Sequence, residues 1–218
     1  MIKAILFDLD GLLIDSEGSW HQSRIQIFKE AGKIWDLEDH KAVVGTSTNH
    51  WANYMAKRLG GNMSVAQLQT LTIGKMEAIY RRSIPFLPGA VQVVQFASAH
   101  YPTGLASGSP HQLIDLVTSE PRLKDCFQVI VSADEVAAGK PAPDVYLEAA
   151  RRMGIEPQAC VCFEDSANGI RAGKAAGMKV IAVPDARYGS PADEVLAMAD
   201  VVLNSLTEFS ADTLQLLG

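Results

Sequence analysis

The feature that most constrains the fold is an alternation of short apolar runs with helical patterns along most of the chain. Six runs, each bounded by turn residues, predict strands at 3–9, 103–107, 128–132, 160–164, 179–184 and 200–203. Helical periodicity lies between most of these runs, at 89–99, 111–118, 143–153 and 167–176. Strands that alternate with helices of this length predict an α/β fold, with a parallel sheet and helices on both of its faces.

One interval breaks this alternation. Between Ser16 and about residue 85 the sequence shows no convincing strand, only helix-like segments at 20–31, 49–59 and 65–82. An insertion of this length far exceeds an ordinary connection between a strand and a helix. We therefore expect two domains, a core formed by 1–15 and 86–218 and a helical cap domain formed by 16–85. A cap inserted after the first strand is well placed to cover the carboxyl ends of the strands, where ligands bind in open α/β sheets.

Composition limits the classes of partner. The chain has 218 residues, of which 48% are hydrophobic and 20% charged, as in ordinary globular proteins. Its net charge of -6 disfavours nonspecific binding to nucleic acid, which requires a basic surface. No segment approaches the length of a membrane span, and the apolar run after Lys3 is too short for a signal peptide. We expect a cytoplasmic monomer that binds a small molecule.

The chain contains three cysteines, Cys126, Cys160 and Cys162. An odd number, with two of them alternating in an apolar run, indicates buried strand thiols in a reducing compartment. A metal site built on Cys160 and Cys162 would need further soft ligands, which we do not find in the sequence.

Polar residues lie at the ends of three predicted strands and in the loop that follows a fourth: Asp8 with Asp10, Ser107, Glu164 with Asp165, and Lys140 in the loop after 128–132. Each has an ordinary structural explanation when it is taken alone. Aspartate and glycine are common in turns, Ser109 suits a helix N-cap before Pro110, and Asp165 or Ser166 suits another. A single lysine is usually solvated.

Taken together, the four strand ends favour a functional explanation. The carboxyl ends of parallel strands lie at one edge of the sheet, so these side chains are expected to be neighbours. Clustered carboxylates require a cation, and oxygen ligands without histidine or cysteine select Mg²⁺. The hydroxyl of Ser107, the ammonium of Lys140 and the free amides at a helix start suit the oxygens of a phosphate. The set predicts a phosphoryl-transfer site.

The same motifs resemble a known family. In order along the chain they are Phe7-Asp8-Leu9-Asp10-Gly11 with Asp15-Ser16-Glu17, then Ser107, then Lys140-Pro141-Ala142-Pro143-Asp144, then Glu164-Asp165-Ser166 with Gly169. As a set they resemble the haloacid dehalogenase superfamily of phosphotransferases, in its β-phosphoglucomutase-like branch with a helical cap. The resemblance implies a Rossmann-like core, a mobile cap, Mg²⁺ dependence and an aspartyl-phosphate intermediate.

The resemblance also implies catalytic roles. Asp8 is expected to be the nucleophile, and Asp10 the general acid that protonates the leaving alkoxide and then the base that activates water. The expected magnesium ligands are the Asp8 carboxylate, the Asp10 backbone carbonyl and Asp165. Glu164 is expected either to contact these ligands without touching the metal or to bind the metal through a water molecule.

The phosphoryl group is expected to be held by two side chains, Ser107 and Lys140. The backbone amides of Leu9 and Gly108 are candidates for additional donors, and Ser109 is a weaker candidate for the same role.

The aspartate at position 10 distinguishes reaction types within the superfamily. Dehalogenases of this fold lack an acid at that position because a leaving halide needs no proton, and phosphonatases lack it too. A non-catalytic phosphate-binding regulatory protein is disfavoured because the motif set is intact. A receiver-type phosphoacceptor domain is disfavoured because such domains are short and carry no cap.

Phosphatase and mutase are harder to separate. The β-phosphoglucomutases carry a histidine shortly after the first motif and a cap arginine, which grip the second phosphate of their substrate. Here Trp20 takes the histidine position, with His21 one residue late, and Thr48 takes the arginine position. Both departures favour a phosphatase that acts on a small phosphomonoester such as a sugar phosphate, with the mutase as the alternative. Candidate substrate residues in the cap are Trp20, His21, Thr46, Ser47, Asn49 and Lys75.

Overall fold

The structure is a computed structural model that describes residues 1–43, 48–185 and 190–218. Its strands are β1 Ala4–Phe7, β2 Thr103–Ser107, β3 Val129–Ser132, β4 Cys160–Glu164, β5 Lys179–Ala182 and β6 Val201–Val202. These six parallel strands form a single sheet in the order β3-β2-β1-β4-β5-β6. The predicted α/β, Rossmann-like parallel sheet is confirmed, and each predicted strand end lies within two residues of the observed one.

The central strand explains why the sheet forms where it does. All four residues of β1 are completely buried, as expected for a parallel strand covered on both faces. Successive side chains point to opposite faces. Ala4 and Leu6 pack into a core that includes Tyr146, whereas Phe7 stacks on Phe163 of β4 with ring centroids 5.0 Å apart.

Helices connect the strands of the core. The four predicted core helices are present. Two short helices near the end of the chain were not predicted, because four or five residues are too few to show a helical pattern of apolar side chains. The core helices are α5 Ala90–His100, α6 His111–Thr118, α7 Asp144–Met153, α8 Ala167–Ala175, α9 Asp193–Leu196 and α10 Ala211–Gln215. Single 3₁₀ turns occupy Ala133–Glu135, Pro157–Ala159 and Leu206–Glu208.

The chain divides into two compact units, Met1–Asp15 with Pro85–Gly218, and Ser16–Ile84. The second unit is helical, with α1 Ser16–Glu30, α2 Leu37–Lys41, α3 Thr48–Leu59 and α4 Val65–Tyr80. Its core contains Trp35 and Trp51 together with Phe28 and Met55. The short helix α2 was not predicted. The covering role expected of this helical unit stays a prediction.

Among the helices in the described ranges, none combines the length and the apolar character that a membrane crossing requires.

Candidate active site

Asp8 lies one residue beyond β1, at the carboxyl edge of the sheet. Its N–H donates a hydrogen bond to the carbonyl of Phe163 at 3.1 Å, so the pairing of β1 with β4 continues through this residue. The Asp8 residue is only 6% exposed. The β-sheet backbone therefore fixes a buried carboxylate at the edge where the strands end.

Lys140 is the cation of this site. The loop after the Ala133–Glu135 turn brings its Nζ to three acceptors, Asp8 Oδ1 at 2.5 Å, Glu164 Oε1 at 2.5 Å and the carbonyl of Ala106 at 2.9 Å. Burial lowers the Lys140 pKa, but the neighbouring carboxylates outweigh burial and raise this pKa above its ordinary value. Lys140 is therefore a largely buried ammonium, with 11% of its side chain exposed, that links the ends of β1, β2 and β4.

Glu164, at the end of β4, is completely buried. Its Oε1 also accepts a hydrogen bond from Tyr146 Oη at 2.5 Å, and the Tyr146 ring centroid lies 4.8 Å from Lys140 Nζ. A Cβ at Gly169 would lie 1.7 Å from Glu164 Oε2, so only glycine leaves space for this carboxylate. The sequence reasoning missed Tyr146, because a tyrosine on the apolar face of a helix is ordinarily a core residue.

Three carboxylates of the core lie close enough to share one cation. Oxygens of Asp8, Glu164 and Asp165 lie within 4.8 Å of one another. Burial, with the charges of Glu164 and Asp10, raises the pKa of Asp8 to about 8 even though Lys140 opposes the rise. Burial and the charges of Asp8 and Glu164 raise the pKa of Asp165 well above its ordinary value. The raised pKa values show that these carboxylates are difficult to ionise next to one another. Clustered carboxylate oxygens of this kind are the donor set that a hard divalent cation stabilises.

Two further observations fit a cation at this carboxylate cluster. Glu164 Oε2 is buried and has no hydrogen-bond partner among the described residues. Gly11 has a φ of +78°, and a Cβ there would lie 2.1 Å from Asp165 Oδ2. A side chain at position 11 would thus displace Asp165, which explains the glycine of the Asp8–Gly11 motif. The residues present fit Mg²⁺, with Asp8, Asp165 and Glu164 as the side chains that would hold it.

Asp10 is held by the loop that follows β2. Its Oδ2 accepts a hydrogen bond from Ser109 Oγ at 2.7 Å and lies 3.3 Å from Ser107 Oγ. The prediction that Ser109 caps a helix is wrong, because the cap residue of α6 is Pro110 and the Ser109 hydroxyl is directed to Asp10. Ser166, by contrast, does cap α8, since its Oγ accepts from the N–H of Gly169 at 3.0 Å.

The backbone donors proposed for phosphate lie at the same edge. Leu9 is the residue between the two aspartates of the first motif, and Gly108 follows Ser107 at the end of β2. A Cβ at Gly108 would meet no described atom within 4 Å, so there is open space next to this residue. Contact of these amides with a phosphate stays a prediction.

The substrate candidates on the inserted unit have other contacts in the structure. Trp20 lies with its ring centroid 5.8 Å from that of Trp51, and the ring of His21 lies 4.3 Å from that of His40. Lys75 Nζ forms an ion pair with Glu30 at 2.7 Å, and Asn49 Oδ1 accepts a hydrogen bond from Gln69. Thr46 and Ser47 lie outside the described residues. A substrate role for any of these residues stays a prediction.

Comparison with known proteins agrees with this geometry. Residues 2–177 match the haloacid dehalogenase-like hydrolase family. The chain belongs to this family. The resemblance inferred from the motifs is therefore confirmed.

Two named relatives are phosphatases. The chain is 33% identical over 216 residues to hexitol phosphatase B of Escherichia coli strain K12, covering 98% of this chain and 96% of the relative. It is 35% identical over 208 residues to a bifunctional riboflavin kinase/FMN phosphatase of Arabidopsis thaliana, covering 94% of this chain and 54% of the relative. With the family match, these relatives confirm the predicted enzyme class, a phosphatase.

Solved structures resemble the whole chain. CbbY from Rhodobacter sphaeroides, solved in complex with phosphate, superimposes with a TM-score of 0.81 at 28% identity, covering 95% of this chain and 96% of that protein. A variant of the same CbbY was solved with xylulose-(1,5)bisphosphate. The relatives thus differ in the compound that they bind or hydrolyse.

Proposed function

We propose that this chain is a Mg²⁺-dependent phosphomonoester hydrolase that acts on a small phosphorylated metabolite, a sugar phosphate or a similar compound, through an aspartyl-phosphate intermediate. The observation that carries the proposal is the convergence of Asp8, Lys140, Glu164 and Asp165 at one edge of the sheet, with Asp10 and Ser107 next to them. Hydrolysis of a sugar-type phosphate is supported by the phosphatase relatives, such as hexitol phosphatase B.

Asp8 and Asp10 have different roles in the proposed reaction. The Asp8 carboxylate attacks phosphorus, and a bond from Oδ to phosphorus forms as the ester P–O bond breaks. Asp10 gives its proton to the departing alkoxide. It then takes a proton from water, whose oxygen attacks the phosphoaspartate, releases phosphate and regenerates Asp8.

Electrostatics decide whether this attack can occur. Two anions must approach each other, and the ammonium of Lys140 already contacts Asp8 at 2.5 Å. Mg²⁺, when bound, would supply further positive charge against the attacking carboxylate and the phosphoryl oxygens. Ser107 and Lys140 would hold the phosphoryl oxygens, with the amides of Leu9 and Gly108 as further donors.

The proposal is tested by measuring phosphate release from a panel of phosphorylated metabolites and from p-nitrophenyl phosphate. We expect release with Mg²⁺, loss of release when a chelator removes the metal, and recovery when Mg²⁺ is restored. Absence of release from every compound would overturn the proposal. Interconversion of a sugar phosphate without net release would identify the mutase alternative instead.

A further inference from the structure

Two serine hydroxyls face one oxygen of Asp10 at different distances. Ser109 Oγ donates to Asp10 Oδ2 at 2.7 Å, whereas Ser107 Oγ lies 3.3 Å from the same oxygen. Both serines are buried, Ser107 completely and Ser109 with 5% exposed. The shorter contact has the length of a strong O–H···O⁻ hydrogen bond, and the longer one exceeds the usual range for a hydroxyl donor.

The number of available protons separates the roles of these two residues. A hydroxyl carries one hydrogen, so a serine that donates to Asp10 cannot at the same time donate to a phosphate. Ser107 loses little when it exchanges its long contact for a phosphoryl oxygen. Ser109 would have to give up a short hydrogen bond to a carboxylate. The geometry therefore favours Ser107 as the phosphate donor and leaves Ser109 with Asp10.

The backbone of Ser109 is fixed from a neighbouring strand. Ser132, the last residue of β3, is completely buried, and its Oγ donates to the carbonyl of Ser109 at 2.7 Å. The N–H of Ser109 donates in turn to Ser107 Oγ at 3.0 Å. With both backbone polar groups held by neighbours, the position from which the Ser109 hydroxyl reaches Asp10 is set by the sheet.

We propose that Ser109 is a positioning residue, whose hydroxyl holds the Asp10 carboxylate in place for proton transfer. The hydroxyl of Ser107 donates instead to the transferring phosphoryl group. The inference rests on the proposed function, in which Asp10 delivers and accepts protons. Acid–base catalysis requires the carboxyl group to lie within hydrogen-bond reach of the leaving oxygen, so a misplaced Asp10 slows the reaction without weakening the binding of phosphate.

The first test compares Ser109→Ala with the unchanged chain on two substrates. A sugar phosphate releases a basic alkoxide that needs a proton, whereas p-nitrophenyl phosphate releases a weakly basic aryloxide that needs little assistance. We expect kcat/KM of Ser109→Ala to fall roughly tenfold for the best sugar phosphate of the panel and less than about threefold for p-nitrophenyl phosphate. The inhibition constant of inorganic phosphate should not change.

Matched variants distinguish positioning from other roles. Ser109→Thr keeps the hydroxyl and should restore most of the sugar phosphate activity. Ser107→Ala should weaken inhibition by inorganic phosphate, because it removes a phosphate donor. A thermal unfolding curve of each variant shows whether the fold is retained.

A double-mutant cycle tests whether Ser109 acts through Asp10. In a chain that already carries Asp10→Asn, adding Ser109→Ala should change kcat/KM for the same sugar phosphate less than about twofold, against the roughly tenfold loss expected in the unchanged chain. The same test on the unchanged background provides the reference.

Several outcomes would overturn the inference. Equal losses on both substrates with weaker phosphate inhibition would make Ser109 a phosphate ligand, and unchanged kinetics would remove any role. Additive losses in the cycle would show an effect independent of Asp10. If the unchanged chain hydrolyses no substrate, the proposed function fails and this inference falls with it. Normal hydrolysis by the unchanged chain together with a fully active Ser109→Ala overturns the inference alone.

Discussion

The two compact units each bury a positively charged side chain, but they surround it differently. In the core, Lys140 Nζ lies 2.5 Å from each of two carboxylates. In the helical unit, Arg24 is 3% exposed. Its Cζ lies 5.3 to 6.0 Å from the ring centroids of three tryptophans, Trp20, Trp35 and Trp51. Its Nη1 is 3.5 Å from His40 Nδ1, and its Nε has no hydrogen-bond partner among the described residues.

The ammonium of the core is paired with carboxylates, whereas the guanidinium of the helical unit is surrounded by aromatic rings. In the core, two carboxylates share one ammonium, and the pKa of Asp8 is raised to about 8 because burial and negative neighbours outweigh Lys140. These carboxylates are the donor set that a hard divalent cation would stabilise. In the helical unit, aromatic faces and the long stem of arginine supply much of the stabilisation. Burial lowers the pKa of Arg24 to about 10, with Glu17 opposing the change.

The largest expected effect belongs to the nucleophile of the core. We expect Asp8→Asn to lower kcat for p-nitrophenyl phosphate by at least about a thousandfold, because an amide cannot form the phosphoaspartate. Phosphate release measures the effect. The control is Asp115→Asn, which changes an exposed aspartate on α6 and should leave the rate unaltered. Near-normal turnover of Asp8→Asn would remove the chemical role assigned to the core cluster.

Removal of the two buried cations tests the comparison directly. We expect Lys140→Met to lower the free energy of unfolding by roughly 3–5 kcal/mol, because it leaves buried carboxylates without their partner. Arg24→Met should cost less than about 2 kcal/mol, since methionine keeps contact with the tryptophan rings and removes a poorly hydrogen-bonded charge. Urea unfolding followed by circular dichroism measures both. Equal losses would contradict the distinction between the units.

The helical unit should respond to acid in a defined pH range. Burial, with His21 and Arg24 nearby, lowers the pKa of His40 from 6.5 to about 4. The unfolded chain therefore binds a proton before the folded chain does, so the stability contribution is complete above pH 6.5 and is lost as pH falls towards 4. The loss is at most about 3 kcal/mol. His21, whose pKa burial and Arg24 also lower, adds in the same direction.

Tryptophan fluorescence isolates this response, because all three tryptophans lie in the helical unit. His40→Gln should flatten the pH dependence of the urea midpoint over this range. The ion pair of Arg58 with Asp39 cannot mimic the effect, since hydrogen bonds from Arg58 hold the pKa of Asp39 at about 2. An unchanged slope in His40→Gln would refute the assignment.

The smallest expected effect concerns a phenol in each unit. Tyr146→Phe removes the hydrogen bond to the fully buried Glu164 and should cost about 1–2 kcal/mol, with a modest fall in kcat. Tyr54→Phe removes a hydrogen bond to Asp39 at 2.8 Å, but Arg58 still holds that carboxylate, so we expect about 0.5 kcal/mol. Thermal unfolding of both variants checks the order, and a larger loss at Tyr54 would reverse the comparison.

Much of the fold was predictable because its signals are local. Each strand of the sheet is a short apolar run bounded by turn residues, and parallel strands buried on both faces need no long-range information to be recognised. The helical insertion was predictable for the same reason, from the lack of strand patterns between Ser16 and about residue 85. Short helices such as Leu37–Lys41 were missed because one turn of helix has no periodicity to read.

The site was predictable in part. Chain order along a parallel sheet places Asp8, Ser107 and Glu164 at one edge, and this follows from topology alone. Lys140 lies in the loop that leaves the same edge after β3, and the conformation of that loop brings its Nζ to the site. The sequence could not show that the hydroxyl of Ser109 contacts Asp10, because helix capping and side-chain hydrogen bonding use the same residue type. Nor could it show that Tyr146 supports Glu164, since the two residues lie 18 positions apart.

The amino-acid sequence by itself determined the strands, the inserted helical unit and the identity of the acidic, hydroxyl and ammonium groups. Those features depend on local propensity and on the order of elements along the chain. The tertiary structure decided which oxygen meets which donor: Lys140 between Asp8 and Glu164, Ser109 on Asp10, and Gly169 beside the Glu164 carboxylate. The reason is physical, because hydrogen-bond distances and buried charge depend on how separate elements pack, which no local pattern encodes.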